Sequence, residues 1–295
     1  MCELSDNLLD RQVSLLTKFI VTYREEFDEK VNFRGLQDAI DAIDEAMLGY
    51  EDVAKKRLHK VRDLNSTARL TYKRCVGLIF EWSVSASETY RTLLPVIRRE
   101  GLTVSDRKEI FDTISKSLSR GLPKIRESLK LLQEEVLVKV TELEDLFTPI
   151  EHDVHSDWRN GFYRKKKQEL MNKSNESSGL IFLNRVKSLV KRQEQEVLKV
   201  QLETIEYFFK LITKKLGEAQ EVIGDVIKAL EEDKKNVTVL ARQCERTSNC
   251  KDIFLLEDTF FRNMFAENLE GLQILCEKYA KWHGYIPVRN AAAGN

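Results

Sequence analysis

The chain has 295 residues, 42% hydrophobic and 33% charged, which is enough apolar material for a substantial buried core and too much for a disordered chain. Its 48 basic residues balance 48 acidic ones, so no net field directs it to nucleic acid or to an anionic surface. With 12 Gly and 4 Pro there is too little turn chemistry for a many-stranded sheet protein, and the expected fold is all-α.

The first predicted helix covers residues 4–31. Leu4, Leu8, Leu15, Phe19, Tyr23 and Phe27 recur at four- and seven-residue steps, and Leu9, Val13, Leu16 and Ile20 widen that stripe, so the helix is expected to be largely buried. The pattern breaks around Asn32, Phe33, Arg34 and Gly35. A second helix is predicted over residues 36–94, ending before Pro95 because the residue ahead of a proline avoids the helical region. After a loop at 99–102, Ser105 is the expected N-cap of the third helix. Its seam is Ile114, Leu118, Leu122, Ile125, Leu129, Leu132, Val136, Val140, Leu143, Phe147 and Ile150, all at steps of three or four. Gly121 and Pro123 predict a kink or short break within it, and the remainder continues to about residue 171. Two more helices follow at about 184–241 and 253–282, the last stopped by Gly284 with Pro287 beyond.

Short links between long helices make neighbours antiparallel. The expectation is one domain over residues 1–295, an elongated up-and-down bundle of about five helices, with a head near 150–190 and a small hairpin or loop near 172–183. That link joins a polar Asn/Ser stretch to Gly179, Leu180, Ile181, Phe182 and Leu183. Two readings of the apolar group stay open: a surface that contacts a membrane, or the buried first turn of the next helix. Trp158, Phe162 and Tyr163 beside Arg159, Arg164, Lys165, Lys166 and Lys167 would suit headgroup contact, or equally a solvated face with core aromatics.

No apolar run reaches the ~20 residues of a membrane-spanning helix, and residues 1–6 carry neither a basic nor an apolar signal region. A water-soluble protein without a cleaved leader is expected, released by a non-classical route or retained in the cytoplasm. Five cysteines are too few and too odd in number for a disulfide framework, and only Cys244 and Cys250 sit close enough in sequence to pair across a turn, against two free thiols. His152 and His155 beside Glu151 and Asp153 have helical metal-ligand spacing but no third ligand cluster, so no metal is expected. Neither a phosphate-binding glycine loop nor a nucleophile motif occurs, so no cofactor and no catalysis are expected.

Several segments in order resemble the bacterial haemolysin E or cytolysin A family of α-helical pore-forming toxins. They are the bend at Asp28 to Phe33, the motif Ile79-Phe80-Glu81-Trp82, the run Ser117-Leu118-Ser119-Arg120-Gly121 followed by Lys124, and the ending Cys276 to Gly284 with its Tyr279 and His283. The resemblance implies a soluble monomer whose apolar tongue inserts into a membrane while the N-terminal helix swings out and protomers assemble into a ring. It assigns the tongue to residues 172–183 and the pore-lining helix to residues 4–31, with Leu8, Leu9, Val13, Leu16, Phe19 and Ile20 on it. The implied partners are a lipid membrane, further copies of the chain and, in a multi-component system, a second protein. Here the tongue is shorter and more polar than the family's. Of the family's paired cysteines Cys276 matches, and Ser83 stands at the partner position. The alternative function is a non-lytic helical rod that binds a protein partner.

Overall fold

The computed structural model describes residues 30–48, 53–158, 161, 168, 184–249 and 256–285, the side chains at 184–195 and 198 excepted. The fold is all-α. In chain order its helices include α1 (Phe33–Ala46), α2 (Val53–Ile97), α3 (Val104–Leu131), the π-turn Leu132–Val136, α4 (Leu137–Asp157), α5 (Asn184–Asn249) and α6 (Thr259–Trp282). The chain divides into two compact units, the first made of residues 1–32, 68–138 and 226–295 and the second of residues 33–67 and 139–225. Helices α2 and α5 contribute residues to both.

In the first unit, polar pairs fix the directions of the helices. Arg98 binds Glu270 at 2.7 Å and Arg91 binds Glu277 at 3.0 Å. The seven-residue step forward on α2 matches seven residues back on α6, so these helices are antiparallel. Ser128 meets the Cys75 carbonyl and Ser117 meets Trp82, so a step forward on α2 goes with a step back on α3, and these helices are antiparallel too. The core between them includes Ile79, Tyr90, Ile114, Leu118, Ile125, Leu240, Leu269 and Leu272.

At their closest approach small residues replace large ones. A Cβ on Gly121 would lie 2.0 Å from Trp82 Cε2. Trp82 Nε1 donates to the Ser117 carbonyl at 2.9 Å, and the Tyr90 hydroxyl donates to Ser117 Oγ at 2.8 Å. Gly121 and Ser128 therefore take inward positions, while Leu122 and Leu129 of the predicted seam pack only at its edge.

The helix boundaries correct several expectations. The second predicted helix is two, with a turn at Met47–Leu48, and α2 runs through Pro95 to Ile97. Likewise α3 is unbroken at Pro123. Both prolines are exposed, so the carbonyls they leave without an N–H partner, at exposed Arg91 and Ser119, face water. The irregularity falls instead at the π-turn, where buried Ser128, Leu132, Val136 and Val140 follow at three successive steps of four. Each such step overshoots a 3.6-residue turn by roughly 40°, and a wider turn absorbs the excess.

The N-cap of α3 is Thr103, not Ser105: its side chain accepts from the Asp106 N–H while Asp106 accepts from the Thr103 backbone. The end of α6 follows expectation. Gly284 has φ 93°, Tyr285 N–H reaches the Ala280 carbonyl and Gly284 N–H the Lys281 carbonyl, the paired bonds of a Schellman cap.

Candidate functional site

The residues assigned to membrane contact, Gly179 to Leu183, and those assigned to the swing-out helix, Leu8, Leu9, Val13, Leu16, Phe19 and Ile20, lie outside the described residues. So do Arg159, Phe162, Tyr163 and Arg164 to Lys167. What the second unit shows is the chain on either side of the link. Trp158 closes α4 and lies 6.5 Å from Phe209 on α5, with Phe208 edge-on to Phe209 at 5.3 Å. Phe209 is buried, whereas Val197, Val200 and Tyr207 are exposed. At ~100° per residue those three fall on one face of α5.

The histidine pair is not assembled. Asp153 accepts from Arg57 Nε at 2.9 Å, His152 is 3.9 Å from Asp153 Oδ1, and His155 is 3.8 Å from Glu151. Among the described residues no group of three or more His, Cys, Asp or Glu side chains is placed to hold a metal ion.

The first unit contains a buried polar centre that no sequence pattern signals. The Tyr72 hydroxyl donates to Asp233 Oδ2 at 3.0 Å and His283 Nε2 lies 3.3 Å from Asp233 Oδ1, with all three side chains buried. His283 stands 4.6 Å from the rings of both Tyr279 and Trp282. The centre joins α2, α5 and the cap of α6. Its partners are 161 and 50 residues apart, which is why periodicity misses them.

The cysteines near it are packing groups. Burial, with the Asp233 charge second, pushes the Cys75 thiol up to about 12, and burial does the same to Cys244. Burial also drives Cys276 well above its ordinary range. Thiols held protonated in this way are poor nucleophiles and poor redox partners. Cys244 is a free thiol in the core, and Cys250, the partner considered for it, lies outside the described residues. Ser83 is fully buried, and its Oγ has no hydrogen-bond partner.

Long packed helices, a Trp–Ser–Gly contact and a capped terminal helix define an α-helical bundle. The motifs that carry the resemblance meet in space: Trp82 touches Ser117 and Gly121, and Cys276, Tyr279, His283 and Gly284 line the end of α6. The profile of the Haemolysin E (HlyE) family matches residues 3–178, more than half of the chain, and the protein belongs to that family.

Among solved structures, the soluble AhlC of the tripartite alpha-pore forming toxin AHL from Aeromonas hydrophila is similar at 13% identity and TM-score 0.40, covering 82% of this chain and 96% of that one. YaxA from Yersinia enterocolitica is similar at 11% identity and TM-score 0.41, covering 89% and 94%. XaxA from Xenorhabdus nematophila is similar at 9% identity and TM-score 0.43, with the same coverage of 89% and 94%. No curated protein sequence matches the chain.

Proposed function

We propose that the protein is an α-pore-forming cytolysin, a monomer in water that engages a membrane through Gly179 to Leu183, releases its N-terminal helix and assembles with further copies. The observation that carries this reading is the family match over residues 3–178, which spans both the N-terminal helix and the link before the apolar group. No helix among the described residues is long and apolar enough to cross a membrane. In this reading insertion falls to the segments assigned from the sequence, with the head at about 150–190. The action is physical rather than catalytic.

A second reading, a non-lytic component that binds a protein partner, draws on the polar Asn172 to Ser178 stretch, which leaves little apolar surface in the link. Burial of four large side chains contributes ~1.5–3 kcal/mol each, enough for interfacial contact and thin for committed insertion. Dye release from liposomes by the purified protein, with detergent-treated samples viewed by electron microscopy, separates the two. Release with rings is expected. Intact liposomes and persistent monomers would establish the partner-binding reading instead.

A further inference from the structure

In the first unit, two helices begin side by side and run in the same direction. Arg107 Nη1 lies 3.3 Å from Glu257 Oε2, and the rings of Phe111 and Phe265 stack at 6.4 Å with 25° between their planes. These contacts set the first turn of α3 beside the first turn of α6, so two positive helix ends face the same region. The caps already use much of the backbone there: Thr103 takes the Asp106 N–H, and Asp258 takes those of Phe260 and Phe261.

Two guanidinium groups stand in that region. Arg262 is only 5% exposed. Its side chain makes one hydrogen bond, Nη2 to Thr259 Oγ1 at 3.4 Å, which turns the guanidinium back over the first turn of its own helix. Its Nε is buried without a partner, and so is that of Arg107, whose side chain is 13% exposed. Two nearby acids are committed to the helix caps. Asp106 is bonded to Thr103, which holds its carboxyl below the usual range, and Asp258 caps α6. Glu257, 63% exposed at the side chain, is shared with Arg107.

A buried cation at a helix N-terminus has the wrong sign for the helix dipole, and an unpartnered buried guanidinium N–H is expensive. An anion from outside the chain resolves both. We propose that Arg107 and Arg262 form a site for a phosphate-type oxyanion, whose tetrahedral oxygens accept from the two planar forks. Glu257 covers the site when it is empty and exchanges its place on Arg107 for the incoming oxyanion. The exposed side chains of Val104 and Phe260, on the same two first turns, make a lipid phosphate as suitable a source as free phosphate.

The test uses the full-length protein at constant ionic strength, titrated with inorganic phosphate against chloride by calorimetry. In parallel it is sedimented with phosphatidylcholine vesicles with and without phosphatidic acid. Saturable phosphate binding is expected. Arg262→Met and Arg107→Met should each weaken it about tenfold, the worth of one charge-assisted bond. Glu257→Gln should tighten it about two- to fivefold by removing the internal competitor. Sedimentation that requires phosphatidic acid and Arg107 identifies a headgroup, whereas calorimetric binding without it identifies free phosphate. Where Arg262→Met fails to fold, the Arg107 and Glu257 variants decide. Equal response to phosphate and chloride, with vesicle retention unchanged in Arg107→Met, overturns the site. Loss of dye release leaves this titration unaffected, so its outcome is independent of the pore-forming reading.

Discussion

The two units hold their helices together with different chemistry. In the first unit, exposed ion pairs such as Arg98 with Glu270 and Arg74 with Glu127 are joined by buried or part-buried polar contacts between helices: Tyr72 and His283 on Asp233, Trp82 and Tyr90 on Ser117, and Ser128 on the Cys75 carbonyl. In the second, the contacts between helices are part-exposed ion pairs and amides: Arg57 with Asp153, Lys60 with Glu142, Arg62 with Asp41 and Asp44, and Asn65 with Gln37. Buried polar groups penalise any slip that leaves them unpaired, whereas exposed pairs re-form with water or with a new partner at little loss. The first unit is thus built to keep one register, and the second to tolerate a change in packing. The segment proposed as the tongue lies in sequence between α4 and α5.

The largest expected effects lie in the first unit. Gly121→Val places side-chain atoms inside the Trp82 ring, and it should destabilise by about 3 kcal/mol or more in urea unfolding. Combining Gly121→Ala with Trp82→Ala should recover more than about 1 kcal/mol of the summed single losses, since the space left by the missing indole removes the clash of the new methyl. Additive losses would mean that the close approach is not what fixes α2 on α3. Asp233→Ala removes the acceptor shared by Tyr72 and His283 and should lose about 3 kcal/mol, against about 1 for Tyr72→Phe. A loss for Asp233→Ala no greater than that for Tyr72→Phe would reduce the centre to one ordinary hydrogen bond.

Alkaline pH separates the units without mutation. The described cysteines, Cys75, Cys244 and Cys276, all belong to the first. Burial raises Cys75 and Cys244 from near 9 to about 12 in the folded state. Their contribution is therefore complete below about pH 9, where folded and unfolded thiols alike keep their protons, and it is lost as pH climbs from 9 towards 12. Over that window each thiol lowers stability by about 1.4 kcal/mol per pH unit, because only the unfolded chain releases the proton. Hydrogen exchange resolved by segment should show α6 losing protection before α4 does, and Cys75→Ala should flatten the decline. Equal loss in both helices would place the alkaline sensitivity elsewhere.

The sequence showed more of the fold than of the site, for reasons visible in single residues. Gly284 was legible because the Schellman cap needs a positive φ that glycine adopts freely. Thr103 was missed because Ser105 stands closer to the apolar run, although Thr103 with Asp106 three residues on satisfies the same geometry. Pro95 and Pro123 are carried inside α2 and α3, where the carbonyls they free are exposed to water, and that exposure is a property of the assembled bundle. Gly121 was taken for a breaker when its work is to admit the Trp82 ring. The residues that carried the family resemblance, Trp82, Ser117, Gly121, Cys276 and His283, turn out to be those that pack and cap the first unit. They identify the family through its architecture and say little about where a membrane is met. The polar centre at Asp233 and the arginine pair at the heads of α3 and α6 are juxtapositions made by folding, without a local signal.

The smallest predicted effect is the one that most directly tests the second unit. Arg57 meets Asp153 through Nε alone, at 2.9 Å, and both side chains are partly exposed. Arg57→Ala should therefore cost no more than about 1 kcal/mol. Raising the salt from 50 mM to 500 mM should shrink that difference towards zero, because the Debye length falls to about the length of the contact itself. The matched measurement on Asp233→Ala should hardly change over the same range, since buried groups are poorly screened. If Arg57→Ala instead cost as much as Asp233→Ala and resisted salt, the second unit would be as locked as the first. A tongue carried on it would then need some other source of freedom.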